Sequence, residues 1–239
     1  MLPTYNEAEN IAAMIARAGA AVPTATLLVV DDASPDGTAD LAVAAGHDLG
    51  DDRVAVLRRD AKLGLGTAYR AGFRWGMERG HDALLQMDSD FQHDPDALPS
   101  LIAPLDEGAD VVIGSRYVTG GSIPEGWAWH RRHLSRWGNR YASAALHLGV
   151  HDATAGFRAH RTDFVSRLDL DAIRADGYGF QIEMTYRTRL AGGSIVEVPI
   201  QFGDRTHGAS KMSTKIVAEA LALVTWWGLR DRVRRRIRS

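Results

Sequence analysis

The chain reads as an α/β protein with a doubly wound, mostly parallel sheet. Three observations lead there. Short apolar runs alternate with stretches in which apolar residues recur at helical spacing, the pattern of strand–helix–strand units. The early apolar runs end in polar or acidic clusters. Gly, Pro and Asp mark the connections. Right-handed crossovers bring the C-terminal ends of parallel strands to one edge, so these clusters are expected to share a crevice.

Leu2–Glu7 (LPTYNE) opens the chain, and Ile11, Met14, Ile15 and Ala18 follow at helical spacing. Thr26–Val30 is a buried strand ending in Asp31-Asp32. Ser34–Thr38 (SPDGT) is a turn and helix start, with the helix running towards Gly46. Val54–Leu57 is a third strand, Lys62–Thr67 (KLGLGT) a glycine-bearing loop, and Ala68–Met77 a helix. Ala83–Met87 is a buried strand running into Asp88-Ser89-Asp90, with Gln92, His93 and Asp94 behind. Pro95–Leu105 is helical, and Val111–Ile113 is a strand before Gly114-Ser115-Arg116-Tyr117.

In the second half, Gly120–Trp129 is a Gly/Pro/Trp loop and Arg131–Leu148 a helix. Asp152–Arg158 (DATAGFR) is turn-rich. Gly177–Leu190 is helical and Ser194–Ile200 a strand. The polar run Phe202–Met212 follows, then an apolar helix over Ile216–Leu229. No repeat or linker interrupts the chain. The catalytic unit is expected over residues 1–212, with an amphipathic helix and basic tail over 213–239.

Composition narrows the possibilities. With 239 residues, 45% hydrophobic and 24% charged, the chain has the make-up of an ordinary soluble domain. The absence of cysteine excludes disulfides and thiolate metal sites. No apolar run approaches the roughly 20 residues a membrane span needs. The first residues lack the basic and apolar regions of a signal peptide. Net charge is −2, but residues 230–239 hold six Arg and one Asp, leaving −7 on the remainder. An acidic body without a reading module argues against nucleic acid.

Asp88 and Asp90, two apart in a loop leaving a strand, can converge on one hard cation bridging a diphosphate. An isolated pair of this kind more often marks a solvated turn. Asp31-Asp32 suits either a nucleobase or ribose contact or a helix cap. Lys62-x-Gly-x-Gly lacks the P-loop ending, although Lys62 is able to reach a phosphate. Arg116, Arg131, Arg205 and Lys211 are cations near turn residues, and each alone reads as a surface charge. Arg205-x-x-Gly-x-Ser-Lys is a loop able to fold over phosphates. Ile216–Leu229 is about 21 Å long as a helix, too short for a hydrocarbon core of about 30 Å. Trp226-Trp227 beside six Arg reads either as an interfacial anchor or as part of a core helix with a solvated tail.

Assembled, the segments PTYNEAENI, VVDDASPDGT, KLGLGTAYRAGF, MDSDFQHDP, IGSRY, Arg131 to Asn139, DATAGFR, GFQIEM and RTHGASKM resemble the polyprenol-phosphate (dolichyl-phosphate) mannose synthases of the family 2 glycosyltransferases. The resemblance runs from Pro3 to Met212. It implies a glycosyltransferase A-type, Rossmann-like fold and mannose transfer, with inversion, from GDP-mannose to a polyprenyl phosphate. It further implies Mg²⁺ or Mn²⁺ on Asp88, Asp90 and Gln92. Pro3, Tyr5, Glu7, Val30, Asp32, Lys62, Asp88, Ser89, Arg205 and Lys211 are implied to bind the donor. Arg116, Arg131 and Ser135 are implied to hold the acceptor phosphate, with Asp90, Arg116 and Arg131 catalytic. Relatives carry a longer first strand than Met1-Leu2, and many have transmembrane helices after the catalytic domain. This chain instead looks like the subgroup working peripherally on the cytoplasmic face beside a separate integral-membrane protein. The competing readings are a UDP-glucose or other UDP-sugar enzyme acting on undecaprenyl phosphate, and an inactive membrane-associated regulatory subunit.

Overall fold

The computed structural model describes residues 1–50, 53–204 and 214–238. Three parallel strands, β1 (Leu2–Thr4), β2 (Leu27–Asp31) and β3 (Val54–Arg58), lie in the order β1-β2-β3. Four more, β4 (Ala83–Gln86), β5 (Val111–Ser115), β6 (Arg158–Arg161) and β7 (Ile195–Pro199), lie in the order β4-β6-β5-β7. The Met87 N–H donates to the Met1 carbonyl at 3.2 Å, which sets β4 beside β1. The helices are α1 (Ile11–Ala21), α2 (Thr38–Leu49), α3 (Leu65–Glu78), α4 (Leu98–Asp106), α5 (Trp129–Leu146), α6 (Thr162–Val165), α7 (Gly177–Leu190) and α8 (Thr214–Arg238).

The expected α/β order holds, with one strand more. β6 is antiparallel to both β4 and β5 and lies between them. Its sequence, Arg158-Ala159-His160-Arg161, has no β-branched residue and two cationic positions, so it carries none of the usual strand signal. The fully buried Arg158 is accommodated because its guanidinium donates to the carbonyls of Ala153, Ala155 and Gln181 and to Thr185 Oγ1. β5 and β7 are parallel. The apolar runs of β2 and β5 are buried along their whole length, as strands covered on both faces must be.

α8 is longer than the expected Ile216–Leu229, because Arg is a good helix former and no breaker stands between Leu229 and Arg238. No described helix is long and apolar enough to cross a membrane. α8 packs on α5 and α7. Gly228 permits the approach: a Cβ there would lie 3.0 Å from the Ala145 carbonyl oxygen on α5. Val224 and Trp227 are buried in the same apolar cluster as Ile113 of β5 and Ile182 of α7. The tryptophan doublet is therefore divided. Trp227 stacks on Tyr186 at 5.7 Å and is a core residue, whereas Trp226 is exposed. The expectation that both rings form an anchor fails for Trp227, because consecutive helix residues point about 100° apart.

Candidate active site

Two cavities meet at the C-terminal edge of the sheet. The larger, about 430 Å³, is lined by Pro3 in β1, Tyr5 and Glu7 after it, Asp32 after β2, Lys62 and Gly64 from the glycine loop, and Asp88, Ser89 and Asp90 after β4. The smaller, about 90 Å³, is walled by Arg116, Arg131 and Ser135 together with Leu134, Ala142, Ile182, Leu221 and Val224 from α5, α7 and α8. Thr154 and Tyr178 line both.

The two acids at the end of β2 have separate tasks. Asp31 Oδ1 accepts from Thr4 Oγ1 at 2.8 Å and Ser34 Oγ at 2.6 Å, which makes it a turn-former. Asp32 Oδ1 accepts from Arg59 Nη1 at 2.5 Å, and its Oδ2 accepts the Leu63 and Gly64 N–H groups at 3.1 and 3.2 Å. Asp32 thus folds the glycine loop against the cleft. Gly64 is required there: φ is +96°, and a Cβ would lie 2.1 Å from Asp176 Oδ2. The loop brings Lys62 Nζ to 3.9 Å over the Tyr5 ring, a cation–π contact on the cleft wall.

The acids after β4 are held from several sides. Tyr69 Oη donates to Asp88 Oδ1 at 3.1 Å, and Ser89 Oγ donates to the Pro3 carbonyl at 3.1 Å. The Asp88 N–H donates to His93 Nδ1 at 3.2 Å, and the Gln92 N–H donates to Asp90 Oδ1 at 3.1 Å. Phe91, between these groups, has φ +63°, a strained conformation for a non-glycine residue at a turn this constrained. His93 stacks on Phe157 at 5.1 Å. Burial lowers its pKa to about 4, so at neutral pH Nδ1 keeps the lone pair that accepts from Asp88. Burial, and then the Asp88 carboxylate, hold the Tyr69 phenol well above its ordinary range, which keeps it a donor.

Asp88 and Asp90 fit a hard divalent cation. The Asp88 side chain is 37% exposed, both residues line the cleft, and both offer carboxylate oxygens. Among the described residues no group of three or more His, Cys, Asp or Glu gathers for a metal. Such a thin protein donor set suits an ion that takes its other ligands from a bound diphosphate and water, as Mg²⁺ does.

Arg116 is buried against Asp152. Its Nε and Nη2 donate to the two carboxylate oxygens, both at 2.7 Å, and Nη2 also donates to Thr154 Oγ1 at 2.8 Å. Burial alone would lower the Arg116 pKa and raise that of Asp152. Their mutual attraction outweighs it in both, so each is held charged. Arg131 lies 3.8 Å over the Trp127 ring, and its Nε is buried with no hydrogen-bond partner among the described residues. An orphaned buried donor on a cavity wall is what an anionic ligand would satisfy. Ser135 Oγ hydrogen-bonds Tyr117 Oη at 2.6 Å.

Of the residues singled out from the sequence, eight line the cleft and three line the smaller cavity. Val30 does neither: its side chain is buried with Leu28 and Ala68 inside the sheet layer. Gln92 is not on the cleft wall. Its carbonyl accepts the Gly203 N–H at 2.8 Å, and its Nε2 donates to the Gly203 carbonyl at 3.4 Å. Arg205 and Lys211 lie outside the described residues. Thr154, Gly156, Asp176, Tyr178 and Gln181 also line the cleft, although no sequence pattern singles them out. They belong to DATAGFR and to the N-cap and first turns of α7. For Thr154 and Gly156 the available signal was the turn-rich segment itself, and for Asp176, Tyr178 and Gln181 the glycine-rich start of a helix.

Comparison with known proteins agrees with this geometry. The family described as glycosyl transferase family 2 matches residues 1–169. The polyprenol monophosphomannose synthase of Mycolicibacterium smegmatis is 47% identical over 236 residues, 98% of this chain and 88% of that protein. The undecaprenyl-phosphate mannosyltransferase of Micrococcus luteus is 50% identical over 232 residues, 97% of this chain and 94% of that one. Among solved structures, the glucosyl-3-phosphoglycerate synthase of Mycobacterium tuberculosis, in complex with Mn²⁺, UDP and phosphoglyceric acid, shares the fold. Its TM-score is 0.67 at 24% identity, covering 97% of this chain and 76% of that one.

Proposed function

This chain belongs to glycosyl transferase family 2, and from that we propose that it transfers mannose from GDP-mannose to a polyprenyl phosphate. The observation that carries the reading is the meeting of two unlike cavities at Thr154 and Tyr178. One is the roomier and bears several carboxylates, suited to a nucleotide sugar with a metal ion. The other joins two arginines to an apolar wall, suited to a phosphate on a prenyl chain. A nucleic acid or a soluble sugar acceptor has no use for the apolar wall.

In the proposed reaction, an acceptor phosphate oxygen attacks the anomeric carbon of mannose from the face opposite the diphosphate. The C–O bond to the diphosphate breaks, its electron pair stays on the departing oxygen, and the anomeric configuration inverts. The acceptor is already anionic at neutral pH, so no general base is needed. Arg116 and Arg131 hold it without a proton to give away, since a guanidinium stays charged. Rate enhancement rests on orientation and on stabilising the leaving diphosphate. Asp88 and Asp90 would hold Mg²⁺ or Mn²⁺, whose charge supports that leaving group. In this reading Pro3, Tyr5, Glu7 and Asp32 line the nucleoside end and Lys62 reaches the diphosphate, all of them on the cleft wall.

In this reading a lipid acceptor implies work at a membrane surface, and we propose its cytoplasmic face. Exposed Trp129 and Trp137 on α5 and exposed Trp226 and Leu229 on α8 support peripheral binding there. An integral-membrane partner would strengthen it. The direct test assays purified protein with GDP-mannose, UDP-glucose and UDP-GlcNAc against a polyprenyl phosphate, with and without Mn²⁺. Metal-dependent mannosyl lipid from GDP-mannose is the expected product. Transfer from a UDP-sugar alone would reassign the donor.

A further inference from the structure

Asn139 sits on α5 on the face that also carries Arg131, Ser135 and Ala142. It is 1% exposed. An amide so buried on a packed helix face costs stability unless its hydrogen bonds are made. Here they are made, and across the site. Nδ2 donates to the Ser135 carbonyl at 3.0 Å and to Thr154 Oγ1 at 3.1 Å. Oδ1 accepts the Thr154 N–H at 3.1 Å. A backbone N–H can only donate, so the orientation of the amide is fixed by this bond.

Thr154 is in turn saturated. Its hydroxyl accepts from Arg116 Nη2 and Asn139 Nδ2 and donates to Asp152 Oδ1 at 3.3 Å. That is the full capacity of a hydroxyl, so Thr154 meets both cavities as a fixed wall and not as a ligand. With Nε and Nη2 of Arg116 committed to Asp152 and Thr154, its Nη1 is the edge left for an anion. Asn139 therefore joins two halves of the smaller cavity that come from different parts of the chain: Arg131 and Ser135 on α5, and the Arg116–Asp152–Thr154 cluster at the sheet edge.

We propose that Asn139 is a positioning residue for the acceptor phosphate, acting through Thr154 to fix the spacing of Arg116 relative to Arg131. The proposal rests on the acceptor reading of the smaller cavity. A shared phosphate needs both guanidiniums at one distance, and the amide ties α5 to the hydroxyl that Arg116 Nη2 donates to, alongside the Tyr117–Ser135 hydrogen bond. The donor cleft receives nothing from Asn139 itself.

The test compares wild type with Asn139→Ala, Thr154→Val and Thr154→Ser, measuring transfer from GDP-mannose to farnesyl phosphate, GDP binding and farnesyl phosphate binding. Asn139→Ala and Thr154→Val are each expected to lower kcat/KM for farnesyl phosphate at least tenfold. The donor KM and GDP affinity should stay within twofold. Thr154→Ser keeps the hydroxyl and should restore most of the activity. The double variant Asn139→Ala/Thr154→Val should lose no more than the worse single one, because both cut one linkage. Unchanged acceptor kinetics would overturn the proposal, and so would parallel loss of GDP affinity or of folded protein in both variants, which assigns Asn139 to general stability. If wild type transfers from no donor, the functional reading fails separately. Farnesyl phosphate binding then decides the positioning role by itself, with at least tenfold weakening expected in Asn139→Ala and unchanged binding overturning it.

Discussion

Arg116 and Asp152 form a two-pronged ion pair, both bonds at 2.7 Å, in which Asp152 is fully buried and Arg116 nearly so. The Arg116 N–H donates to the same carboxylate at 3.0 Å. A pair this dry is expensive to break from one side. Asp152→Ala leaves a buried guanidinium unpaired and is expected to cost about 3–5 kcal/mol of stability. Asp152→Asn, which keeps the shape and one acceptor, is expected to cost less. Urea unfolding of the two variants checks the order. Equal stability of Asp152→Ala and wild type would contradict the pairing.

Asp90→Ala is expected to abolish mannosyl transfer while the far-UV circular dichroism stays unchanged, since Asp90 lines the cleft and is not part of the apolar core. A loss of at least a hundredfold, about 2.7 kcal/mol of transition-state stabilisation, is the expected scale. Chelation of divalent metal should silence wild type to a similar degree. Wild-type turnover by the variant would remove the carboxylate from the diphosphate site.

His160 gives a pH prediction. It is fully buried, its Nε2 lies 2.9 Å from Gln86 Oε1, and the Phe73 ring packs edge-on at 5.2 Å. Burial, and then the Arg158 charge, lower its pKa to about 3. The folded protein thus binds this proton less readily than the unfolded chain, whose histidine has a pKa near 6.5. Its stabilising contribution is complete above about pH 6.5 and declines as pH falls towards 3, by up to about 1.4 kcal/mol per pH unit. Urea midpoints between pH 7.5 and 4.5 measure the decline. His160→Gln should flatten it, and an identical slope in that variant would discount the histidine.

The two tryptophans of α8 should separate stability from membrane binding. Trp227→Ala removes a ring stacked on Tyr186 and is expected to cost about 3–5 kcal/mol. Trp226→Ala should leave stability within about 0.5 kcal/mol and weaken sedimentation with anionic liposomes. Truncation after Asp231 spares the Tyr186–Asp231 hydrogen bond and should weaken liposome binding most at low salt. Equal binding by truncated and intact protein would exclude the basic tail as an anchor.

The sheet edge was legible because its signals are local. An apolar run of β2 or β4 ends, carboxylates follow, and the handedness of crossovers forces Glu7, Asp32 and Asp88 to one side. Thr154 was not legible as a wall shared by two cavities. Its segment reads as a turn, and its partners Arg116 and Asn139 are 38 and 15 residues away. β6 escaped for the same reason: Arg158 and His160 are polar in sequence, and in the fold surrounding carbonyls satisfy the guanidinium while Gln86 pairs with His160 Nε2.

By itself, then, the sequence determined the alternation of strands and helices, the convergence of acids on one crevice and the family to which the chain belongs. Apolar periodicity and the ordered motifs encode these directly. Only the tertiary structure decided which of two adjacent tryptophans is core, that Asp32 folds a loop as well as lining a cleft, and that Asp152 is the partner of Arg116. Those outcomes depend on desolvation and on hydrogen-bond geometry between distant segments. Both are fixed when α5, α7 and α8 pack around the edge of the sheet, and neither is encoded in the spacing of residues along the chain.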